Sequence, residues 1–216
     1  MSELVQVRED RRCIPSALNN PLRRYFSPPS RDLDLLDLAP GQTVVDLGTG
    51  VGYLLPEILQ RIGPGGRVRA VDIDEENVAI ARERVRSDPR VSFQVGSAAG
   101  PVDLPSGSAD RVLLSLVLCC LVDKTGALSE AWRLLKPGGV LLASYPRTPK
   151  LFRRRRRTSL RVTPDLWEHL VRGHPWERLG DPKGRFVTRH LLRRPGPSAG
   201  AVGPSGPVRV EPGTKN

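Results

Sequence analysis

An α/β fold built on a parallel sheet covered on both faces is what this 216-residue sequence predicts. Three observations predict it. Five apolar, strand-like runs alternate with helical patterns between residues 40 and 146. The first of those runs breaks into three glycines at alternate positions before a helical pattern starts. No run approaches the ~20 apolar residues that a membrane-crossing helix needs.

The first strand and its turn read Thr43-Val44-Val45-Asp46-Leu47-Gly48-Thr49-Gly50-Val51-Gly52-Tyr53. Glycines at that spacing let the backbone turn sharply and come close to a ligand, because no Cβ stands in the way. A helix starting near Tyr53 points free N–H groups and its positive dipole end into the same space, which suits an anionic group. Dinucleotide-binding domains use G-x-G-x-x-G here. In this chain the third glycine comes one residue early, and Asp46 precedes the first glycine inside the strand end. The second strand, Arg67-Val68-Arg69-Ala70-Val71-Asp72-Ile73-Asp74, ends in acid about 20 residues further on. Asp72 at its tip is placed to accept hydrogen bonds from the ribose hydroxyls of an adenosine ligand, while Asp74, before Glu75-Glu76-Asn77, suits a helix N-cap.

A third strand, Val91–Val95, runs into the small-residue turn Gly96-Ser97-Ala98-Ala99. The fourth follows Leu104-Pro105-Ser106-Gly107-Ser108-Ala109-Asp110 and ends near Ser115-Leu116-Val117-Leu118. A helix from Lys124 to Leu135 then meets the turn Lys136-Pro137-Gly138-Gly139 and a fifth strand, Val140–Tyr145.

These five segments, in this order, resemble the class I S-adenosylmethionine-dependent methyltransferases, in particular small-molecule enzymes of the ubiquinone/menaquinone-biosynthesis type. Their first motif is an acidic residue followed by G-x-G-x-G; the LP-x-x-x-S-x-D lead and the LLKPGG-VLL turn are shared as well. The resemblance implies a doubly wound, Rossmann-like sheet of seven mostly parallel strands, the last antiparallel, with helices on both faces. It implies S-adenosyl-L-methionine as cofactor and in-line methyl transfer, in which the protein mainly aligns two partners and excludes water. Asp46 is then expected near the methionine end of the ligand. Gly48, Thr49, Gly50 and Gly52, leading into Tyr53, form the floor, with backbone N–H groups towards the carboxylate. Asp72 holds the ribose, Ile73 and Ala98 flank the adenine, and Ser115 and Leu116 face the methyl group and its acceptor. Ser97 stands where the family usually places an Asp that bonds the adenine amino group, which is the clearest departure from the pattern. Ser115-Leu116-Val117-Leu118 also replaces the Asn/Asp-Pro-Pro-Tyr motif of amino-methylating DNA and protein enzymes, and the Pro-Cys pair of base-carbon methylation is missing.

The cysteines, Cys13, Cys119 and Cys120, do not suggest a disulfide framework, since neighbours in sequence bridge poorly. Cys119 and Cys120 read as buried small apolar side chains. A metalloid role, as in arsenite methyltransferases, would need Cys13 to join the pair, and no metal is expected. The N-terminus has no apolar core of signal-peptide type, so a cytoplasmic setting is expected. His169, His174 and His190 all lie outside the recognised motifs, and no general base can be named.

Charge is uneven. Residues 1–146 hold 17 Lys or Arg and 18 Asp or Glu, a net of −1, whereas residues 147–216 hold 17 and 5, a net of +12. The densest part is Arg153-Arg154-Arg155-Arg156-Arg157, in a linker spanning 146–162. Such a run can hold nucleic acid through salt-sensitive phosphate contacts, or simply be solvated; it lacks the interleaved aromatics that stack bases. Thr163-Pro164 then has helix-start chemistry, and Trp176–Gly180 and Arg185–Arg193 read as the closing pair of the sheet. The domain is expected over 40–194. Residues 1–39 are expected to form a helical or lid segment carrying Tyr25 and Phe26, and 195–216 a disordered Gly/Pro/Ser tail. Three functions follow: a methyltransferase for a small-molecule acceptor, one for RNA or a nucleic-acid-associated protein guided by the basic region, or an inactive cofactor-binding module.

Overall fold

The computed structural model describes residues 10, 28–147, 161–182, 184 and 187–196. Within them the elements run α1 (Pro29–Leu36), β1 (Thr43–Leu47), α2 (Leu55–Ile62), β2 (Arg67–Asp72), α3 (Glu75–Arg84), β3 (Val91–Val95), β4 (Ala109–Ser115), α4 (Lys124–Leu134), β5 (Leu135–Pro146), α5 (Pro164–Val171), β6 (Glu177–Gly180) and β7 (Val187–Arg193). Tyr25, Phe26, Cys13, the Arg153–Arg157 run and the tail from 197 lie outside the described residues.

The strands form one seven-stranded sheet in the order β3-β2-β1-β4-β5-β7-β6. β1 pairs in parallel with β2 and β4, β2 with β3, and β4 with β5. β7 is antiparallel to both β5 and β6, so the last strand opposes the rest as the sequence predicts. Alternation along each strand sends neighbours to opposite faces. Val45, Leu47, Val112, Leu114, Leu141 and Ala143 pack under α4 and α5. Val44, Val68, Ala70, Leu113 and Leu142 pack under α1 and α2. Both faces are therefore dry, which is why these strands read as near-continuous apolar runs.

The helices follow their sequence signals closely. α2 buries Leu55, Ile58, Leu59 and Ile62, the i, i+3, i+4, i+7 stripe of an amphipathic helix, each worth about 1.5–3 kcal/mol over exposure. It starts two residues after Tyr53, whose ring packs against this core instead of opening onto the sheet edge. Asp74 caps α3, its Oδ1 accepting from the Glu76 amide at 3.0 Å. Thr163 caps α5 through the Leu166 amide at 3.2 Å. One boundary differs from expectation. β5 begins at Leu135, paired with Ala109, and includes the glycines read as a turn. Gly138, at φ +82°, keeps that stretch in the sheet by donating to the Arg194 carbonyl at 2.7 Å.

Candidate functional site

The strand order reverses between β1 and β4, because the chain moves outward from β1 to β2 and β3 and returns on the other side. In open α/β sheets ligands bind in the crevice beyond the strand ends at such a point. A cleft of about 630 Å³, its open mouth included, lies there. The turn after β1 contributes Gly48, Thr49 and Gly50; the end of β2 contributes Asp72 and Ile73; the turn after β3 contributes Ala98; the end of β4 contributes Ser115 and Leu116. Eight residues chosen from sequence thus converge on one space.

Gly48 is required by geometry. Its φ is +80°, and a Cβ built there would lie 2.3 Å from Val117 Cγ2. The turn after β1 and the loop after β4 therefore touch backbone to side chain, closing one wall. The Asp72 carboxylate is held by its own chain: Oδ2 accepts from the Gly50 amide at 2.7 Å and Oδ1 from the Asp74 amide at 3.0 Å. Asn77 Nδ2 adds a long contact to Oδ1 at 3.4 Å. A carboxylate has about four acceptor positions, so a vicinal diol would take the remaining one on Oδ2 and displace the weak Asn77 contact. Thr49 Oγ1 is buried and has no hydrogen-bond partner among the described residues. A buried hydroxyl left so costs about 1–3 kcal/mol, and one lining a cleft is set for a ligand atom.

Leu116 adopts φ +60°, a left-handed conformation costing a branched residue roughly 1–3 kcal/mol. Its amide is pinned by the Ser144 carbonyl at 3.0 Å and Ser144 Oγ at 3.1 Å. The strain thus turns the chain at the tip of β4, directly beside Ser115.

Several expectations are corrected. The backbone N–H groups of the glycine turn do not face outward. Those of Gly48 and Thr49 donate to the Val71 carbonyl at 2.8 and 2.9 Å, that of Gly50 to Asp72, and that of Gly52 to the Thr49 carbonyl at 3.1 Å. The first two extend the β1–β2 ladder, the third holds the Asp72 side chain and the last closes a local turn, so the turn supplies shape where an anion cradle was expected. Gly52 does not line the cleft; its missing Cβ makes room for Ala81, 2.9 Å from the built position, so α3 packs closely on the turn. Tyr53 is likewise absent from the wall. Asp46 is 2% exposed on the face of β1 shared with Val44 and does not line the cleft either. Ser97 is not among the residues that line the cleft; its hydroxyl donates at 2.6 Å to Oδ2 of Asp10, which is.

The cleft also holds residues that sequence reasoning missed: Asp10, Asn77, Val117, Cys120 and Leu121. Asp10 Oδ1 accepts from the Val122 amide at 2.7 Å, so a carboxylate stands opposite Ser97 although it comes from far upstream. Asn77 had a legible signal, since it sits five residues after Asp72 in the first turn of α3. Cys119 and Cys120 are half-buried where burial was expected, with their sulfurs 3.9 Å apart, and Cys120 faces the cleft. Among the described residues no cluster of three metal-ligating side chains occurs. Behind the loop, buried Lys124 donates to the Leu121 carbonyl at 2.6 Å. Burial pushes its ammonium pKa down, with Cys119, Asp10 and Cys120 pulling the other way.

Fold and cleft together define the class: a Rossmann-like α/β domain whose open site lies at the switch point of its sheet. Residues 45–143 match the family model of the methyltransferase domain, and over this stretch the chain is similar to S-adenosylmethionine-dependent methyltransferases. It is 36% identical over 132 residues to nocamycin O-methyltransferase of Saccharothrix syringae, covering 60% of this chain and 47% of that one. It is 34% identical over 113 residues to the ubiquinone/menaquinone biosynthesis C-methyltransferase of Hydrogenovibrio crunogenus, covering 51% and 44%. The chain thus spans less than half the length of these curated relatives. A SAM dependent methyltransferase from Aquifex aeolicus superposes with TM-score 0.73 at 22% identity, over 85% of this chain and 100% of that one; this likeness shows the fold. No helix among the described residues is long and apolar enough to cross a membrane.

Proposed function

We propose that this chain binds S-adenosyl-L-methionine in the switch-point cleft and transfers its methyl group to a small-molecule acceptor. The observation that carries the reading is the pairing of two features: a carboxylate aimed by the Gly50 amide, and a buried Thr49 hydroxyl that lacks a partner among the described residues. Both suit a polar nucleoside, and the apolar Ile73 and Ala98 beside them suit its base. Asp72 binds the ribose diol, Thr49 meets a polar group of the ligand, and Ser115 and Leu116 face the reacting end. Bound there, the ligand supplies a methyl group already activated on a sulfonium, so the chain need only orient the acceptor and keep water out. The relatives named for O- and C-methyl transfer support a small-molecule acceptor. A cytoplasmic location, where thiols such as Cys119 and Cys120 stay reduced, belongs to the same proposal.

Calorimetry with S-adenosylhomocysteine tests the binding half. Wild type binds, and Asp72→Asn weakens binding by about 10- to 150-fold, the loss of one charge-assisted hydrogen bond worth roughly 1.5–3 kcal/mol. Absence of binding by folded wild type refutes the proposal. Transfer of labelled methyl to a metabolite extract tests the other half.

A further inference from the structure

Ser115, the last residue of β4, lines the cleft, but its hydroxyl proton is already committed. It donates to Asp32 Oδ2 at 2.8 Å. Asp32 sits in the first turn of α1 at 4% exposure, and its other oxygen accepts from Arg189 Nε of β7 at 2.6 Å. Arg189 is equally buried at 4%, and its guanidinium packs on the turn before β7, where a Cβ on Gly184 would lie 2.9 Å from Nη1. An ionised carboxylate is acceptor-only, and Arg189 occupies the second oxygen of this one. The hydrogen bond from Ser115 therefore has one direction. Its oxygen also meets Ser144 Oγ at 3.5 Å, the outer limit of a hydrogen bond, which leaves a lone pair for the cleft.

We infer that Ser115, polarised by Asp32 and Arg189, accepts a hydrogen bond from the group to be methylated, so the acceptor is a hydroxyl or amine of a small molecule, and the bond made is O–CH₃ or N–CH₃. This deepens the methyl-transfer reading above and rests on it. A carbonyl or ether oxygen would meet lone pair against lone pair at Ser115, and a carbon nucleophile would leave the buried polar chain unused. In the transfer the S–CH₃ bond breaks, and its electron pair stays on sulfur. A lone pair of the acceptor oxygen or nitrogen forms the new bond to carbon. The acceptor's proton, hydrogen-bonded to Ser115 Oγ during the transfer, leaves to water through the open mouth of the cleft, while Asp32 stays paired with Arg189. Asp32 is thus a positioning residue acting through Ser115. The direction of the chain, fixed before the acceptor arrives, is a preorganised specificity element.

The experiment uses the full chain and labelled S-adenosyl-L-methionine with a small-molecule metabolite extract in two forms: native, and exhaustively acetylated to cap hydroxyls and amines. Label is expected on oxygen or nitrogen in the native extract and at least about tenfold lower in the capped one. Ser115→Ala is expected to lower kcat about tenfold or more with S-adenosylhomocysteine affinity unchanged, and Ser115→Thr, which keeps the hydroxyl, to restore most of it. Asp32→Asn should lower kcat more than it changes KM, with Asp32→Glu recovering part. Should the Asp32 variants fail to fold, the Ser115 pair decides alone. Methyl found on carbon, equal labelling of the capped extract, no labelling of either extract while S-adenosylhomocysteine still binds, or an active Ser115→Ala would each overturn the inference. Loss of S-adenosylhomocysteine binding by wild type would instead overturn the underlying reading.

Discussion

Gly48 and Gly41 share one backbone conformation, φ +80° and +81°, but only one of them has a neighbour, and that contrast gives a quantitative test of the cleft wall. At Gly41 a built Cβ meets nothing within 4 Å; at Gly48 it lies 2.3 Å from Val117 Cγ2 and 2.7 Å from Val117 Cβ. Gly41→Ala therefore carries only the left-handed cost of an L-residue, about 1–2 kcal/mol. Gly48→Ala carries the same cost plus overpacking of about 1–3 kcal/mol, roughly 2–5 kcal/mol altogether. For a chain of this size each kcal/mol lowers Tm by about 2–4 °C, so Gly41→Ala should lose roughly 2–8 °C and Gly48→Ala roughly 4–20 °C. Thermal unfolding by circular dichroism measures both. Val117→Ala in the Gly48→Ala background removes the Cγ contacts but leaves Cβ, so it should recover part of the loss, with a coupling of about 0.5–3 kcal/mol. Equal shifts for the two alanine variants, or additivity of Gly48→Ala with Val117→Ala, would show that the turn after β1 and the loop after β4 do not meet as described.

Two further outcomes are expected. Thr49→Val removes a buried hydroxyl that has no partner among the described residues, so stability should hold or rise slightly while S-adenosylhomocysteine binding weakens; a clear loss of Tm would mean the hydroxyl is satisfied within the fold. The second concerns pH. Buried His190 donates from Nδ1 to Asp181 Oδ1, its Nε2 lies 2.9 Å from the Tyr145 hydroxyl, and its ring stacks on Trp167 at 4.0 Å. Burial pushes its pKa down, with Asp181 pulling partly back, while burial pushes Tyr145 up to about 12. Native His190 thus binds its proton less readily than the unfolded chain. Its contribution is complete above the unfolded value of about 6.5 and is lost as pH falls from there through the native value, at no more than about 1.4 kcal/mol per pH unit. His174, also lowered by burial and then by Arg194, acts in the same direction. Urea midpoints at about pH 7.5 and 5.5 should therefore fall with pH in wild type and fall less in His190→Gln; equal slopes would remove His190 from the account.

What the sequence disclosed and what it withheld divide along chain distance. The strand ends, the glycine turn, Asp72, Ala98 and Ser115 were readable because each is fixed by its immediate neighbours: a β-branched run, a residue forced to positive φ, an acid at a strand tip. The Asp74 and Thr163 caps were readable for the same reason. The destinations of the turn's N–H groups were not, since they depend on β2 lying beside β1 in a particular register, Leu47 against Val71. Nor was the displacement of Gly52 from ligand to packing, which needs Ala81 of α3 in place. Asp10 meets Ser97 across 87 residues and Val122 across 112, and no local pattern announces such a contact. The start of β5 is not legible because Pro137-Gly138-Gly139 is turn chemistry in isolation, and only the hydrogen bonds that Gly138 and Gly139 exchange with Arg194 keep it within the strand.

The same division separates the two halves of the cleft in the proposed reading. The half assigned to the methyl donor is built from consecutive residues after β1, β2 and β3, so it leaves a recognisable trace in sequence. The half facing the acceptor is set by Asp32 from the first described helix and Arg189 from the last strand, 157 residues apart, meeting at Ser115. A buried ion pair is a poor source of net stability, because desolvation offsets much of its attraction, and an apolar pair of similar volume would often serve the fold as well. Its presence at the tip of β4 is therefore better explained by what it does to Ser115 than by what it adds to folding. Replacing Asp32 and Arg189 together with Leu and Met separates the two explanations. If the pair served the fold, the double variant would unfold early. If it serves the acceptor, the variant should keep its Tm within a few degrees, still bind S-adenosylhomocysteine, and lose methyl transfer.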